Sequence, residues 1–266
     1  MLTTFCLRLA CGMIGSLLLF SSNELNPRFY RTHYLVALGL VCLAGIGWSS
    51  EGMDLTGKSL SLITFLFVAR QVILILAGVL CCVGSVIWSV ERNPSHRVVG
   101  IASALVLLAA NGIQEAWTAK EVFSLDSIIA IFGNLTSAAL LGTAVTAMLL
   151  GHLYLIAPGM ALAPLMRVLT VLFWAVGFRM VMAGWGLWTW AEEHSVVSWE
   201  DETILWLPLR WGLGFGGPLV LGWMARSAAK IRSTQSATGI LYVVVILSFL
   251  GELTSQLLTA HTGYWL

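Results

Sequence analysis

Apolar stretches long enough to cross a bilayer recur along this 266-residue chain, and nothing else constrains its fold as much. The hydrocarbon core of a membrane is about 30 Å thick and an α-helix rises ~1.5 Å per residue, so about 20 mainly apolar residues span it. Such stretches run over residues 2–21, 34–49, 61–90, 98–117, 127–156, 165–190, 203–226 and 237–258. The second is short and can begin earlier, with Phe29 and Tyr30 at the interface. The third and fifth are long enough to tilt or to include a segment lying along the surface. Lipid offers backbone amides no hydrogen bonds, so each span must satisfy its own. The expected class is therefore all-α: a polytopic transmembrane helix bundle of about eight spans, read as a single integral membrane domain, 1–266.

Composition narrows the function classes. The chain is 58% hydrophobic and 10% charged, with mean hydropathy +0.89, whereas soluble domains carry roughly 25% charged residues. That excludes a disordered chain, a secreted disulfide scaffold and a basic nucleic-acid binder. The expected partners are the lipid bilayer and other membrane subunits, not nucleic acid. The first stretch differs from a secretory signal: it lacks a basic leading region, Arg8 interrupts it, and no small-x-small site precedes Asn23. It reads as a retained helix.

Charge assigns sidedness. The loops after helices one, three, five and seven hold Arg28, Arg31, Arg92, Arg97, Arg167, Arg226, Lys230 and Arg232, against Lys58 and Lys120 for the other loops. By the positive-inside rule the basic loops face the cytoplasm, so both termini lie on the non-cytoplasmic side of what reads as a bacterial inner membrane. The acids show the opposite bias, and an odd number of spans would break the alternation. Trp48, Trp117, Trp188, Trp190, Trp199, Trp206, Tyr264 and Trp265 fall near predicted outer ends, as an interfacial aromatic belt would.

A faint internal repeat accompanies the spans. Gly100-Ile101 and Gly112 in helix four recur at one common spacing as Gly239-Ile240 and Gly251 in helix eight, and Arg70 recurs as Arg210 at nearly the same spacing. Pro27 and Arg31 loosely echo Pro164 and Arg167. This pattern suggests two parallel four-helix halves, 1–122 and 123–266, because an even number of spans preserves sidedness.

Four basic residues remain within the spans, Arg8, Arg70, Arg179 and Arg210, together with one acid, Glu252. A central charge costs about 2.5–3.5 kcal/mol on insertion scales, so each needs a partner or water. Counted from the span ends, all five lie in the outer half or near mid-membrane, at depths shared by Gln71, Asn111, Gln114, Asn134 and Gln256. In one reading they pair with Glu252 or Glu115, or snorkel to headgroups. In the other they form an outward-opening pocket with excess positive charge, because guanidinium groups fork onto carboxylate or phosphate oxygens. Helix seven follows Arg210 with Gly212, Gly214, Gly216, Gly217 and Pro218, so a kink is expected near 214–218, with the glycines read as permitting close helix packing in preference to marking a transport site.

Histidines raise haem as a candidate cofactor. His33 and His152 lie at similar predicted depth near the cytoplasmic side, as a bis-imidazole pair would. The arginines that would hold propionates lie on the other side, so the two sites do not combine. Cys6, Cys11, Cys42, Cys81 and Cys82 form no CxxC and read as small buried side chains. The acidic runs Glu192-Glu193-His194 and Glu200-Asp201-Glu202 read as solvated loop, and no metal site is expected. No Walker loop, GxSxG, HExxH or GxGxxG at a strand–helix junction occurs, so no catalytic residue is assigned. Three functions fit these features: a membrane subunit handling electrons or a haem or quinone cofactor, a transporter of an anionic solute or lipid headgroup, and a non-catalytic scaffold or assembly factor.

Overall fold

A computed structural model describes residues 1–21, 23–47, 60–90, 96–118, 125–157, 159–193 and 206–262. Among these residues the regular structure is entirely helical: α1 (Leu2–Leu17), α2 (Pro27–Gly47), α3 (Leu60–Val90), α4 (His96–Thr118), α5 (Leu125–Ile156), α6 (Ala163–Glu193), α7 (206–230) and α8 (Thr234–Thr262). Within α7 the segment Leu209–Gly216 is a π-helix and Gly217–Lys230 is α-helical. Six helices, α2 to α6 and α8, are long and apolar enough to cross a membrane. The chain is a polytopic helix bundle and an integral membrane protein. α1 is the short one at 16 residues, about 24 Å at 1.5 Å per residue, and most of its length is buried.

Local chemistry explains two of the boundaries that differ from the apolar runs. α2 begins at Pro27, well before the apolar stretch that opens at 34. Asn26 caps it: its Oδ1 accepts the Arg28 amide at 3.0 Å, and proline tolerates the first helical position because that amide has no intrahelical acceptor. α1 ends at Leu17 rather than near 21. The amides of Leu18 and Leu19 reach back three residues, to Gly15 and Ser16 at 3.1 and 3.2 Å, a tightened last turn that releases the chain. Phe20 then packs edge-on against Phe29, ring centroids 6.1 Å apart.

The helices turn their intramembrane charges inward and cover their outer faces with large apolar side chains. On α3 the exposed residues Phe65, Val68, Val72, Ile75, Val79, Val83, Val86 and Val90 recur every three or four positions, the spacing of one helix face. The buried face carries Leu66, Arg70, Leu74, Ala77, Cys81 and Trp88. Exposed Trp174, Phe178, Val181, Trp185 and Trp188 form the same kind of stripe on α6. When the surroundings are apolar, an outward Val or Trp loses nothing, and the polar side chains must turn toward each other.

Two compact units divide the chain, Leu2–Ala138 and Ala139–Leu266. In the first, α1 packs on α2, α2 on α3 and α3 on α4, and α4 closes back onto α1. In the second, α6 packs on α7 and α7 on α8, while Gly151 of α5 lies against Thr238 and Leu241 of α8. One kind of contact recurs inside each unit. A Cβ on Gly84 of α3 would strike the Tyr34 ring of α2, and one on Gly222 of α7 would meet the Phe173 ring of α6. The interval from Gly84 to Gly222 nearly equals that from Tyr34 to Phe173, and both match the interval that relates the glycine pairs of helices four and eight.

The tightest approach is between α7 and α8, where a Cβ on Gly214 would meet the Gly251 Cα and one on Gly251 would meet the Gly214 Cα. The neighbouring atom is backbone in both cases and cannot swing aside. Gly251→Val should therefore lower stability by about 1–3 kcal/mol, the usual cost of overpacking. Gly112→Ala, at the matching position of α4, has no atom within 4 Å of its new Cβ and should leave the midpoint unchanged or slightly higher. Thermal unfolding in detergent measures both.

Candidate functional site

Each unit buries two arginines and places a glutamate beside them. In the first unit Arg8, 4% exposed, donates through Nη2 to Asn134 Oδ1. Asn134 Nδ2 in turn donates to Glu115 Oε2 at 2.8 Å. The carboxamide thus relays between guanidinium and carboxylate, accepting from one and donating to the other. Asn111, one turn before Glu115, donates to the Leu7 and Leu107 carbonyls at 3.1 and 2.8 Å, which ties α4 to α1. Arg70, 1% exposed, holds its Cζ 4.4 Å from the centroid of the Trp117 ring, so the negative face of an indole meets the cation.

The second unit uses other partners. Arg179 of α6 donates through Nη2 to Ser255 Oγ at 2.9 Å, and its Nε lies 3.7 Å from Glu252 Oε2. This is a buried ion pair, at 2% and 0% exposure. Arg210 of α7, also fully buried, donates through Nη1 to the Gly251 carbonyl at 2.6 Å. Its Cζ sits 4.2 Å from the Phe215 ring centroid. Positions five apart lie on different faces of an α-helix, which turns every 3.6 residues. The π-helical turn brings them together. Gly217 N–H reaches back five residues to the Gly212 carbonyl, and the π segment ends just before Pro218, whose ring is incompatible with an α-helical bond from its own nitrogen. Where the sequence suggests a kink near 214–218, the helix carries a π segment that begins earlier, at Leu209.

α8 supplies the polar wall. Ser248, Glu252, Ser255 and Gln256 recur at helical spacing and are all buried. Ser248 Oγ and both amide atoms of Gln256 find no hydrogen-bond partner among the described residues. Buried polar atoms are nearly always satisfied, so an unsatisfied carboxamide on the helix that meets both guanidinium groups calls for an explanation.

The five intramembrane charges singled out in the sequence thus divide between the units, Arg8 and Arg70 in one, Arg179, Arg210 and Glu252 in the other. Glu115, Asn134, Ser255, Trp117 and Phe215 complete their surroundings. His33 is fully buried in the first unit, its Nδ1 2.9 Å from the Phe29 carbonyl and its ring 4.3 Å from that of Phe29. His152 is exposed, on the part of α5 that belongs to the second unit. Cys6, Cys11 and Cys81 are buried, whereas Cys42 and Cys82 are exposed on apolar helices rather than buried as the sequence reading expects.

The aromatic belt also needs correction. Trp117 and Trp190 are 6% and 5% exposed. One lies under a guanidinium and the other packs with Leu258, Leu187 and Trp206. Trp188 is exposed, as an interfacial anchor would be. Trp48, Trp199, Tyr264 and Trp265 fall outside the described residues, as do most of the acidic runs near 192–202. No group of three or more metal-ligating side chains occurs among the described residues.

No family model matches the chain, and neither the curated proteins nor the solved structures include a match. Chemistry alone therefore has to carry the functional reading. Asn134→Leu should separate Arg8 from Glu115 and destabilise the protein by about 1–3 kcal/mol, the cost of leaving a buried polar partner unsatisfied. Asn134→Gln, which keeps the carboxamide, should recover part of that loss in the same thermal unfolding assay.

Proposed function

We propose that the chain is a transporter of a small anionic solute, with Arg179, Arg210 and the polar face of α8 as its binding site. One observation carries the reading: among the described residues, the fully buried Arg179 pairs with the buried Glu252 and the fully buried Arg210 reaches the neighbouring Gly251 carbonyl, on a helix whose Ser248 hydroxyl and Gln256 carboxamide find no partner there. Arginine stays protonated even when buried, so the second unit carries excess positive charge among its described buried residues. An anion would neutralise that excess and accept hydrogen bonds from the orphaned groups.

Two structural features support a site rather than a simple brace. A π-helical segment inside an α-helix marks functional positions often enough to count, and here it seats Arg210. Arg179 also has its carboxylate on a different helix, so bound anion and Glu252 would compete for the same cation. The haem reading has less behind it, because His33 and His152 belong to different units and differ in burial. The proposal keeps the finer placement drawn from charge bias: a bacterial inner membrane, both termini on the non-cytoplasmic side, and two halves that arose by duplication of a four-helix unit.

Substitutions on the two signs of charge should act in opposite directions. With purified protein and a panel of chloride, sulfate, phosphate and small carboxylates, at least one anion should raise the unfolding midpoint. Arg210→Gln should weaken that anion's binding by roughly 10- to 100-fold, the worth of a charged hydrogen bond. Glu252→Gln should strengthen it, even though breaking the buried pair costs about 3–5 kcal/mol of stability. A wild-type midpoint that no anion moves would leave the arginines as structural ties and end the transport reading.

A further inference from the structure

A second site lies at one end of the first unit, away from its buried charges in sequence and chemistry. Leu17, Leu18, Phe20, Tyr30, Tyr34, Trp88, Arg97, Gly100 and Ile101 enclose a cavity of about 300 Å³, at the small end of the range for ligand pockets. These residues come from the last turn of α1, the first turns of α2, the last turn of α3 and the first turns of α4. The cavity therefore sits where helices meet loops, at headgroup depth for a spanning bundle.

Its walls are mostly aromatic and aliphatic. The Tyr30 and Trp88 rings stack 4.0 Å apart at an interplanar angle of 6°. The Tyr30 hydroxyl is committed to the Ser21 carbonyl at 2.8 Å. Among the described residues, Arg97 is the one cation in the lining. It is exposed, and it makes no ion pair or hydrogen bond with another described residue. An apolar chamber with one forked cation suits an amphiphile bearing a single anionic group.

The surface beside the chamber favours a lipid over a free anion. Leu18 and Ile101 line the cavity and are also exposed, and Ile101 continues along α4 through exposed Leu105 and Leu108. Positions 101, 105 and 108 share one helix face, so an apolar track leads from the chamber along the lipid-facing side. We infer that this cavity is a binding site for an anionic membrane phospholipid, with the phosphate on Arg97, the glycerol region against the Tyr30–Trp88 stack and an acyl chain along the Ile101–Leu108 track. The basic loops of the sequence place this end at the cytoplasmic leaflet, where anionic lipids concentrate. The site is independent of the anion site in the second unit, and either can stand without the other.

Native mass spectrometry of the full chain in mixed micelles tests it, with dioleoylphosphatidylglycerol, dioleoylphosphatidylcholine and inorganic phosphate as separate probes. Phosphatidylglycerol should persist as a one-to-one adduct and raise the unfolding midpoint; phosphatidylcholine and phosphate should do neither. Arg97→Gln alters an exposed side chain and should weaken the adduct roughly tenfold, within the range for a charged hydrogen bond. Gly100→Leu should block the adduct from within, since its Cβ would already lie 3.3 Å from Leu18 and 3.6 Å from the Tyr34 hydroxyl. Equal retention of both lipids overturns the proposal, as does undiminished retention of phosphatidylglycerol by Arg97→Gln. Stabilisation by phosphate alone overturns the lipid assignment in favour of a free anion.

Discussion

A guanidinium group surrounded by apolar helices must be met by something, and that demand decides which helices adjoin. Arg8 reaches Asn134, and through it Glu115, so α1, α4 and the start of α5 are held together. Arg70 lies on Trp117 and ties α3 to α4. Arg179 and Arg210 both reach α8, at Ser255 and at the Gly251 carbonyl. Helix α4 in the first unit and α8 in the second are thus the polar hubs. Helices crossing lipid gain little by hiding apolar surface from one another, so these polar ties and the close glycine contacts carry much of the specificity of packing.

The two units solve the same problem by different routes. Arg70 and Arg210, the arginines that correspond in the sequence repeat, each lie over an aromatic ring. Arg70 projects from a regular α-helix and finds its ring on α4. Arg210 finds its ring on its own helix, because the π turn aligns residues five apart. That frees the neighbouring face of α7 to approach α8 until Gly214 and Gly251 touch, and the bare glycine leaves its carbonyl open to Arg210. A carbonyl already bonded within its helix still has a second lone pair to offer.

Much of this was legible in the residues, and the remainder was hidden for definable reasons. The helical spans followed from length and hydropathy, and the intramembrane arginines stood out against the composition. Arg28, Arg31 and His33 dilute the first turns of α2, so hydropathy opens the span at 34 and allows an earlier start only through Phe29 and Tyr30, whereas the Asn26-Pro27 capping signal marks the start itself. Partners were harder. A backbone carbonyl such as that of Gly251 has no signature in a sequence. Trp117 near a span end reads as an interfacial anchor, and only the rotation of α4 shows its ring turned inward under Arg70. The π turn was legible only as Pro218 and its glycines, which suggest a kink near 214–218 and not a π segment from Leu209.

Charge alone does not distinguish the two units, since each buries two arginines beside one glutamate among its described residues. Hydrogen-bond demand does. The buried orphans of the first unit include single atoms of larger groups, the Gln114 Oε1 and the Trp117 Nε1, whereas both amide atoms of Gln256 are orphaned in the second. Those of the first unit also include the Thr3 and Ser137 hydroxyls, which can turn to the carbonyl one turn earlier. Ser16, Ser103 and Thr143 do so in the same unit or just beyond it. Gln256 has no such recourse. Its carboxamide is longer, carries donors and an acceptor together, and is placed one turn beyond Glu252 on the face that Arg179 meets. Leaving such a group unsatisfied costs about 1–3 kcal/mol, a penalty that a bound anion with a bridging water, or a ligand carrying both an anionic group and a donor, would remove. Under the proposed anion site, an occupant of the second unit would satisfy both atoms of that carboxamide.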